Sequence, residues 1–117
     1  GNTETPCGKA GAVRLQGMPC APGTVEAEAP VVVSPDISLP VRGKILVARM
    51  TDPGWVFLMV SAAGLIVERG SLLSHTAIIG RELGIPTIVG VADACRLIST
   101  GSHIRMDGAT GHITSGC

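Results

Sequence analysis

Apolar positions fall into short runs separated by glycine and proline, in two patterns. From Gly23 to Val33, Val25, Ala27 and Ala29 alternate with Thr24, Glu26 and Glu28, the period of two expected of a half-buried strand. Ile45-Leu46-Val47-Ala48, Gly64 to Glu68 and Thr87-Ile88-Val89 are instead continuous apolar runs and predict fully buried strands. Between the first two, Ser34-Pro35-Asp36 opens a loop that reaches Gly43. Asp52-Pro53-Gly54 predicts the start of a short helix, with Asp as N-cap and Pro where its missing N–H would go unbonded anyway. Trp55 to Val60 supply its apolar turns. His75 to Leu83 predicts a second helix, ended by Gly84 with Pro86 just beyond. Ala92 to Ile98 reads as a short helix. Ile104 to Met106 and His112 to Thr114 read as a terminal hairpin or meander, turned by Asp107-Gly108 and Thr110-Gly111. Residues 1–11 are polar and read as a flexible tail or linker, leaving 12–117 as one domain. Strands interleaved with short helices place that domain in the α/β class with at least one parallel element.

Composition narrows the function classes. A chain of 117 residues holds one core, and its 45% apolar content comes from Val, Ile, Leu and Ala, with one Trp, one Phe and no Tyr. Such a core lacks the aromatic platforms on which single-stranded nucleic acid stacks. Nine basic residues balance nine acidic ones, without the basic stripe of a phosphate-backbone binder, so no nucleic acid is expected. No stretch approaches the ~20 consecutive apolar residues of a membrane span. The N-terminal residues lack the charged and apolar regions of a signal peptide. Cys7, Cys20, Cys95 and Cys117 contain no Cys-x-x-Cys pair and are expected as reduced thiols of a cytoplasmic protein. His75, His103 and His112 lie on three different elements without helical pairing, so no metal site is expected. There is no P-loop, no Gly-x-Gly-x-x-Gly and no carboxylate pair at useful spacing. Alone, the chain is not a complete enzyme.

The segment most able to carry chemistry is Glu68-Arg69-Gly70-Ser71-Leu72-Leu73-Ser74-His75-Thr76-Ala77. A buried strand feeds a loop containing Gly70, and the loop feeds a helix that begins at His75. With Ser74 as N-cap, the first N–H groups point out along the axis toward the His75 end. That end favours anions by roughly 0.3–1 kcal/mol when exposed, and it disfavours imidazolium, which would keep His75 neutral and nucleophilic. A neutral imidazole beside an anion site is suited to taking up a phosphoryl group, with Ser74, Thr76 and Arg69 as donors to its oxygens. Gly70 supplies backbone freedom at the turn and lets a phosphate approach closely. On local grounds alone, a histidine in a first helical turn also needs no function at all. Arg81 and Glu82 read as part of a polar helix face.

The run Gly64-Leu-Ile-Val-Glu-Arg-Gly-Ser-Leu-Leu-Ser-His75-Thr-Ala-Ile-Ile-Gly-Arg-Glu-Leu-Gly-Ile-Pro-Thr-Ile-Val-Gly90 resembles the swivelling phosphohistidine domain of phosphoenolpyruvate-utilising enzymes. The resemblance takes in Gly17 to Gly23, Ile45 to Trp55, Asp107-Gly108 and Gly111. The Thr51-Asp52-Pro53-Gly54-Trp55 run is closer to the phosphoenolpyruvate synthase and rifampicin phosphotransferase branch than to the sugar-transport branch. It implies a swivelling β/β/α fold and phosphorylation of His75 on Nε2. It also implies two partner domains: an ATP-grasp-type domain that uses ATP and Mg2+, and a domain for phosphoenolpyruvate, pyruvate or another acceptor. Ser71 stands where a second Gly is common, so the loop is expected to be stiffer or to reach the phosphate through its hydroxyl. Leu73 stands where dikinases often carry Thr, a regulatory phosphorylation site in plants. Gly80 replaces the usual Ala, at a cost to the helix of up to about 1 kcal/mol.

Two functions follow. One is a phosphocarrier domain that binds no cofactor itself and shuttles a phosphoryl group on His75. The other is a non-catalytic, stand-alone module of the same fold that binds a partner through the His75 loop. Acid-labile phosphate on His75 separates them.

Overall fold

The computed structural model describes residues 13–32, 41–51, 53–71, 74–98 and 101–115. The expected tail, the start of the loop at Ser34-Pro35-Asp36, the Asp52 cap, Leu72, Leu73, Cys7 and Cys117 lie outside these residues. The strands are β1 (Val13–Gln16), β2 (Met18–Ala21), β3 (Thr24–Ala29), β4 (Val31–Val32), β5 (Ile45–Ala48), β6 (Gly64–Val67), β7 (Thr87–Val89), β8 (Ser102–Asp107) and β9 (His112–Ser115). The helices are α1 (Val56–Ser61), entered through a 3₁₀ turn at Pro53–Trp55, α2 (His75–Leu83) and α3 (Ala94–Leu97).

The strands form two sheets: one of four in the order β1-β9-β8-β3, and one of five in the order β2-β7-β6-β5-β4. The first is antiparallel throughout. In the second, β4 to β7 run parallel, and β2 is antiparallel at one edge. The parallel steps β5–α1–β6 and β6–α2–β7 progress the same way across the sheet. Crossovers of one hand therefore put both helices on one face.

Successive residues of the central strands feed different layers, which explains why they are apolar without interruption. Ile45, Val47, Ile66 and Ile88 pack with Ala29, Ile104, Met106 and Ile113 of the antiparallel sheet, and with Ala94 and Ile98. Their neighbours Leu46, Ala48 and Leu65 pack under Trp55, Leu58, Met59 and Ala62, flanked by Ile79 and Ile85. The order is sheet, sheet, helices: a β/β/α sandwich. Within it, α2 ends as expected. Gly84 is left-handed (φ 70°, ψ 29°), its N–H bonds Arg81 O at 3.3 Å, and Ile85 N–H bonds Gly80 O at 3.0 Å, the two bonds of a Schellman motif.

Three departures from the sequence reading have physical causes. The strand expected from Gly23 to Val33 is two strands in different sheets, because Pro30 breaks the ladder and its carbonyl accepts Val47 N–H at 3.1 Å. β1 and β2 were not anticipated. Each is four residues long, Gly17 divides them, and β2 contains Pro19, which only an edge strand tolerates. α3 is shorter than the expected Ala92–Ile98, since Asp93 is left-handed (φ 60°).

Candidate functional site

The carboxyl ends of β5, β6 and β7 converge with the start of α2. Val67 ends β6, and the loop after it stays registered to β5: Glu68 N–H bonds Ala48 O at 2.9 Å and Arg69 N–H bonds Arg49 O at 2.8 Å. Gly70 then turns the chain with φ 130°. A Cβ there would lie 3.0 Å from Ser74 Oγ and 3.5 Å from Val89 Cβ, so the turn needs both the glycine backbone and its lack of a side chain.

Ser74 is the N-cap that the sequence implied. Its Oγ accepts Ala77 N–H at 3.5 Å and donates to Ser71 O at 2.7 Å. Ser74 N–H also bonds Ser71 O, at 3.0 Å. The N–H groups of His75 and Thr76 occupy the first helical positions, which have no intrahelical acceptor. They form the open positive end of the helix. His75 is half-buried; its Nδ1 is fully buried and has no hydrogen-bond partner.

Ser74, His75, Thr76 and Gly70 are thus brought together at the carboxyl end of the sheet's central strands, but the side chains present there are not equivalent. Thr76 is buried, and its hydroxyl is bonded to the Thr51 hydroxyl from the loop after β5. Arg69 is exposed at the end of β6. Thr51 stood out in the sequence only as the first residue of the Thr51-Asp52-Pro53-Gly54-Trp55 run and was given no role at the site. Glu68, part of the motif but given no role there, faces α3 and the end of β5: its Oε1 accepts Cys95 N–H at 3.1 Å and its Oε2 lies 3.9 Å from Arg49 Nε.

Arg81 does more than cover a polar face. The β2–β7 register slips between Pro19 and Ala21, and the carbonyl of Cys20 at that irregularity accepts Arg81 Nε–H at 3.1 Å. This bond ties α2 to β2. Burial pushes the Cys20 thiol above the ordinary thiol range, with Arg81 partly opposing it. Burial likewise raises the Cys95 thiol, and Glu68 raises it further.

Residues 39–111 match the family described as PEP-utilising enzyme, mobile domain. The chain belongs to that family. The mobile domain is 43% identical over 99 residues to rifampicin phosphotransferase of Bacillus cereus, covering 85% of this chain and 11% of that protein. It is 38% identical over 107 residues to a probable phosphoenolpyruvate synthase of Staphylothermus marinus, covering 89% of this chain and 13% of that protein. The solution structure of the Enzyme I protein nEIt superposes on it with a TM-score of 0.59 at 27% identity, covering 68% of this chain and 33% of that one. The mobile domain therefore spans about a ninth to an eighth of the length of these two relatives.

His103 and His112 sit on β8 and β9, exposed, and His103 Nε2 lies 3.6 Å from Glu26 Oε2. Among the described residues no three His, Cys, Asp or Glu side chains are grouped to hold a metal ion, and no helix is long and apolar enough to cross a membrane. A depression of about 400 Å³ on the antiparallel sheet is lined by Arg14, Leu15, Gln16, His112, Ile113 and Thr114. It includes no residue of the His75 loop.

Proposed function

We propose that this mobile domain is a phosphoryl carrier and that His75 Nε2 is the atom that carries the group. The observation that supports this most directly is the burial of Nδ1, which leaves Nε2 as the ring nitrogen able to meet a donor. In the transfer, the Nε2 lone pair attacks phosphorus in line. The bond from phosphorus to the donor's leaving oxygen breaks, and that oxygen keeps the electron pair. The His75 and Thr76 N–H groups and the Arg69 guanidinium stabilise the phosphoryl oxygens. The Thr51 and Thr76 hydroxyls are bonded to each other, which leaves one proton of the pair to reach a phosphoryl oxygen; half-buried Thr51 is the more exposed of the two. In the second step an acceptor oxygen attacks phosphorus and forms the new P–O bond, while the P–N bond breaks and its electron pair returns to His75 Nε2.

The donor in this reading is ATP with Mg2+ on an ATP-grasp-type domain, and the acceptor is pyruvate, phosphoenolpyruvate or another substrate on a second domain of a cytoplasmic enzyme. Relatives several times longer than this chain support the presence of further domains; their kind is part of the proposal.

Intact-mass measurement at alkaline pH tests the carrier role. The chain is incubated with ATP or phosphoenolpyruvate and the partner domains, with His75→Ala as control. One added phosphoryl group, lost in acid and missing from the variant, is expected. No added mass, when the partner domains load another carrier, would leave a binding module instead.

A further inference from the structure

Glu68 is a largely buried carboxylate, its side chain 17% exposed, placed between β6 and the loop that leads to His75. Its two oxygens serve different elements. Oε1 accepts Cys95 N–H, in the first turn of α3, and Oε2 faces Arg49 at the end of β5. α3 needs this outside acceptor, because its own cap residue does not supply one. Asp93 is left-handed, makes no side-chain cap bond, and turns its carboxylate to Arg96 at 3.3 Å.

The element held by Glu68 in turn abuts the His75 loop. Val91 N–H bonds Val67 O at 3.2 Å. A Cβ on Gly90 would lie 3.4 Å from Gly70 O, and one on Gly70 would lie 3.0 Å from Ser74 Oγ. Hydrogen bonds therefore link the Glu68 carboxylate to α3, and α3 through Ala94 N–H and Val91 O (3.2 Å) to the end of β6; Gly90, beside Val91, lies next to Gly70, and Gly70 next to the cap of the helix that begins at His75, with little room for a side chain at either glycine.

We infer that Glu68 is a positioning residue for the phosphoryl-accepting loop: by capping α3 it fixes the segment on which Gly70 rests, and so the direction of the His75 and Thr76 N–H groups. This inference rests on the carrier reading above. Glu68 does not touch the transferred group; it sets the geometry in which that group is received, to which transfer rates are steeply sensitive.

The test uses phosphoramidate, a small phosphoryl donor that needs no partner domain. His75 Nε2 forms the P–N bond while the donor's own P–N bond breaks and ammonia leaves. Labelling of His75 is followed by mass spectrometry of alkaline digests, with His103 and His112 as references in the same chain. In the native chain His75 is expected to label faster than both references. If it does not, the carrier reading fails, whatever Glu68 does. Given that preference, Glu68→Ala is expected to slow His75 by about tenfold or more and leave the references unchanged. Glu68→Gln, which keeps an oxygen for Cys95 N–H, is expected to restore most of the rate. Where Glu68→Ala does not fold, Glu68→Asp takes its place: it keeps the charge, withdraws the acceptor, and is expected to slow His75 too. A folded Glu68→Ala or Glu68→Asp chain that labels His75 at the native rate would overturn the inference, even with a lowered Tm. Equal slowing in Glu68→Gln would overturn it as well, since the effect would then belong to the charge facing Arg49.

Discussion

Gly80 and Thr87 occupy adjoining space with no room for a methyl group between them. A Cβ on Gly80 would collide with Thr87 Oγ1 and lie 2.8 Å from Thr87 Cβ. Thr87 is fully buried, and its hydroxyl donates to Ile85 O at 2.7 Å, so it has nowhere to move. The glycine that weakens α2 in isolation is what lets α2 lie on β7. Gly80→Ala is therefore expected to destabilise the domain by about 1–3 kcal/mol, the usual cost of overpacking, although alanine is the better helix former. Adding Thr87→Ala should recover much of the loss. Urea unfolding of both single variants and the double variant measures the coupling, expected at about 0.5–3 kcal/mol. A stabilising Gly80→Ala would refute the packing argument.

At Gly70 the backbone itself is the constraint. With φ at 130°, alanine pays about 1–3 kcal/mol in strain, and its Cβ presses on the Ser74 hydroxyl. Gly70→Ala should lower Tm and slow phosphoramidate labelling of His75 together. A change in Tm alone would mean that the cap tolerates the displacement.

The Thr51–Thr76 hydroxyl pair should respond asymmetrically. Thr76→Val removes a buried hydroxyl and frees the half-buried Thr51 hydroxyl to meet water, at about 0.5–1.5 kcal/mol. Thr51→Val strands the Thr76 hydroxyl in the interior, at about 1–3 kcal/mol. Thermal unfolding of the two variants compares them directly; equal losses would mean that Thr76 finds another acceptor.

Alkaline pH should weaken the fold through its two described thiols. Burial raises both Cys20 and Cys95, with Glu68 adding to the effect at Cys95. The unfolded chain then loses these protons before the folded one does. Their contribution to stability is complete below the ordinary thiol value of about 8.5 and declines as pH rises beyond it. Urea midpoints should hold steady from pH 7 to about 8 and fall above about 9. The Cys20→Ala/Cys95→Ala variant should show a shallower fall. Iodoacetamide at pH 8 should modify either residue more slowly than a free thiol.

How legible this was depended on how far each signal is local. The helix from His75 to Leu83 could be read in full because its start and stop are both written in neighbouring residues, Ser74 and Gly84. The buried strands at 45–48 and 87–89 could be read because residues with a packed layer on each side leave no polar positions. β1 and β2 could not: four residues give too little alternation, and Gly17 and Pro19 mimic a loop. The site divided in the same way. The cap and the histidine are consecutive in sequence. The Thr51 hydroxyl is 25 positions from Thr76 and the Cys95 N–H is 27 from Glu68, separations that only the assembled β/β/α layers close. Arg81 looked like surface because its partner, the Cys20 carbonyl, is a backbone atom freed by a slipped register.

The pairing of β1 with β9 carries a mechanical consequence. Val13 lies opposite Ser115, so the polypeptide comes into the body and departs from it at neighbouring points on one sheet. In the carrier reading proposed above, a body joined to its partners at two neighbouring points would turn as a whole, without deforming its sheets, and the group on the helix layer would travel an arc that the thickness of the sandwich helps to set.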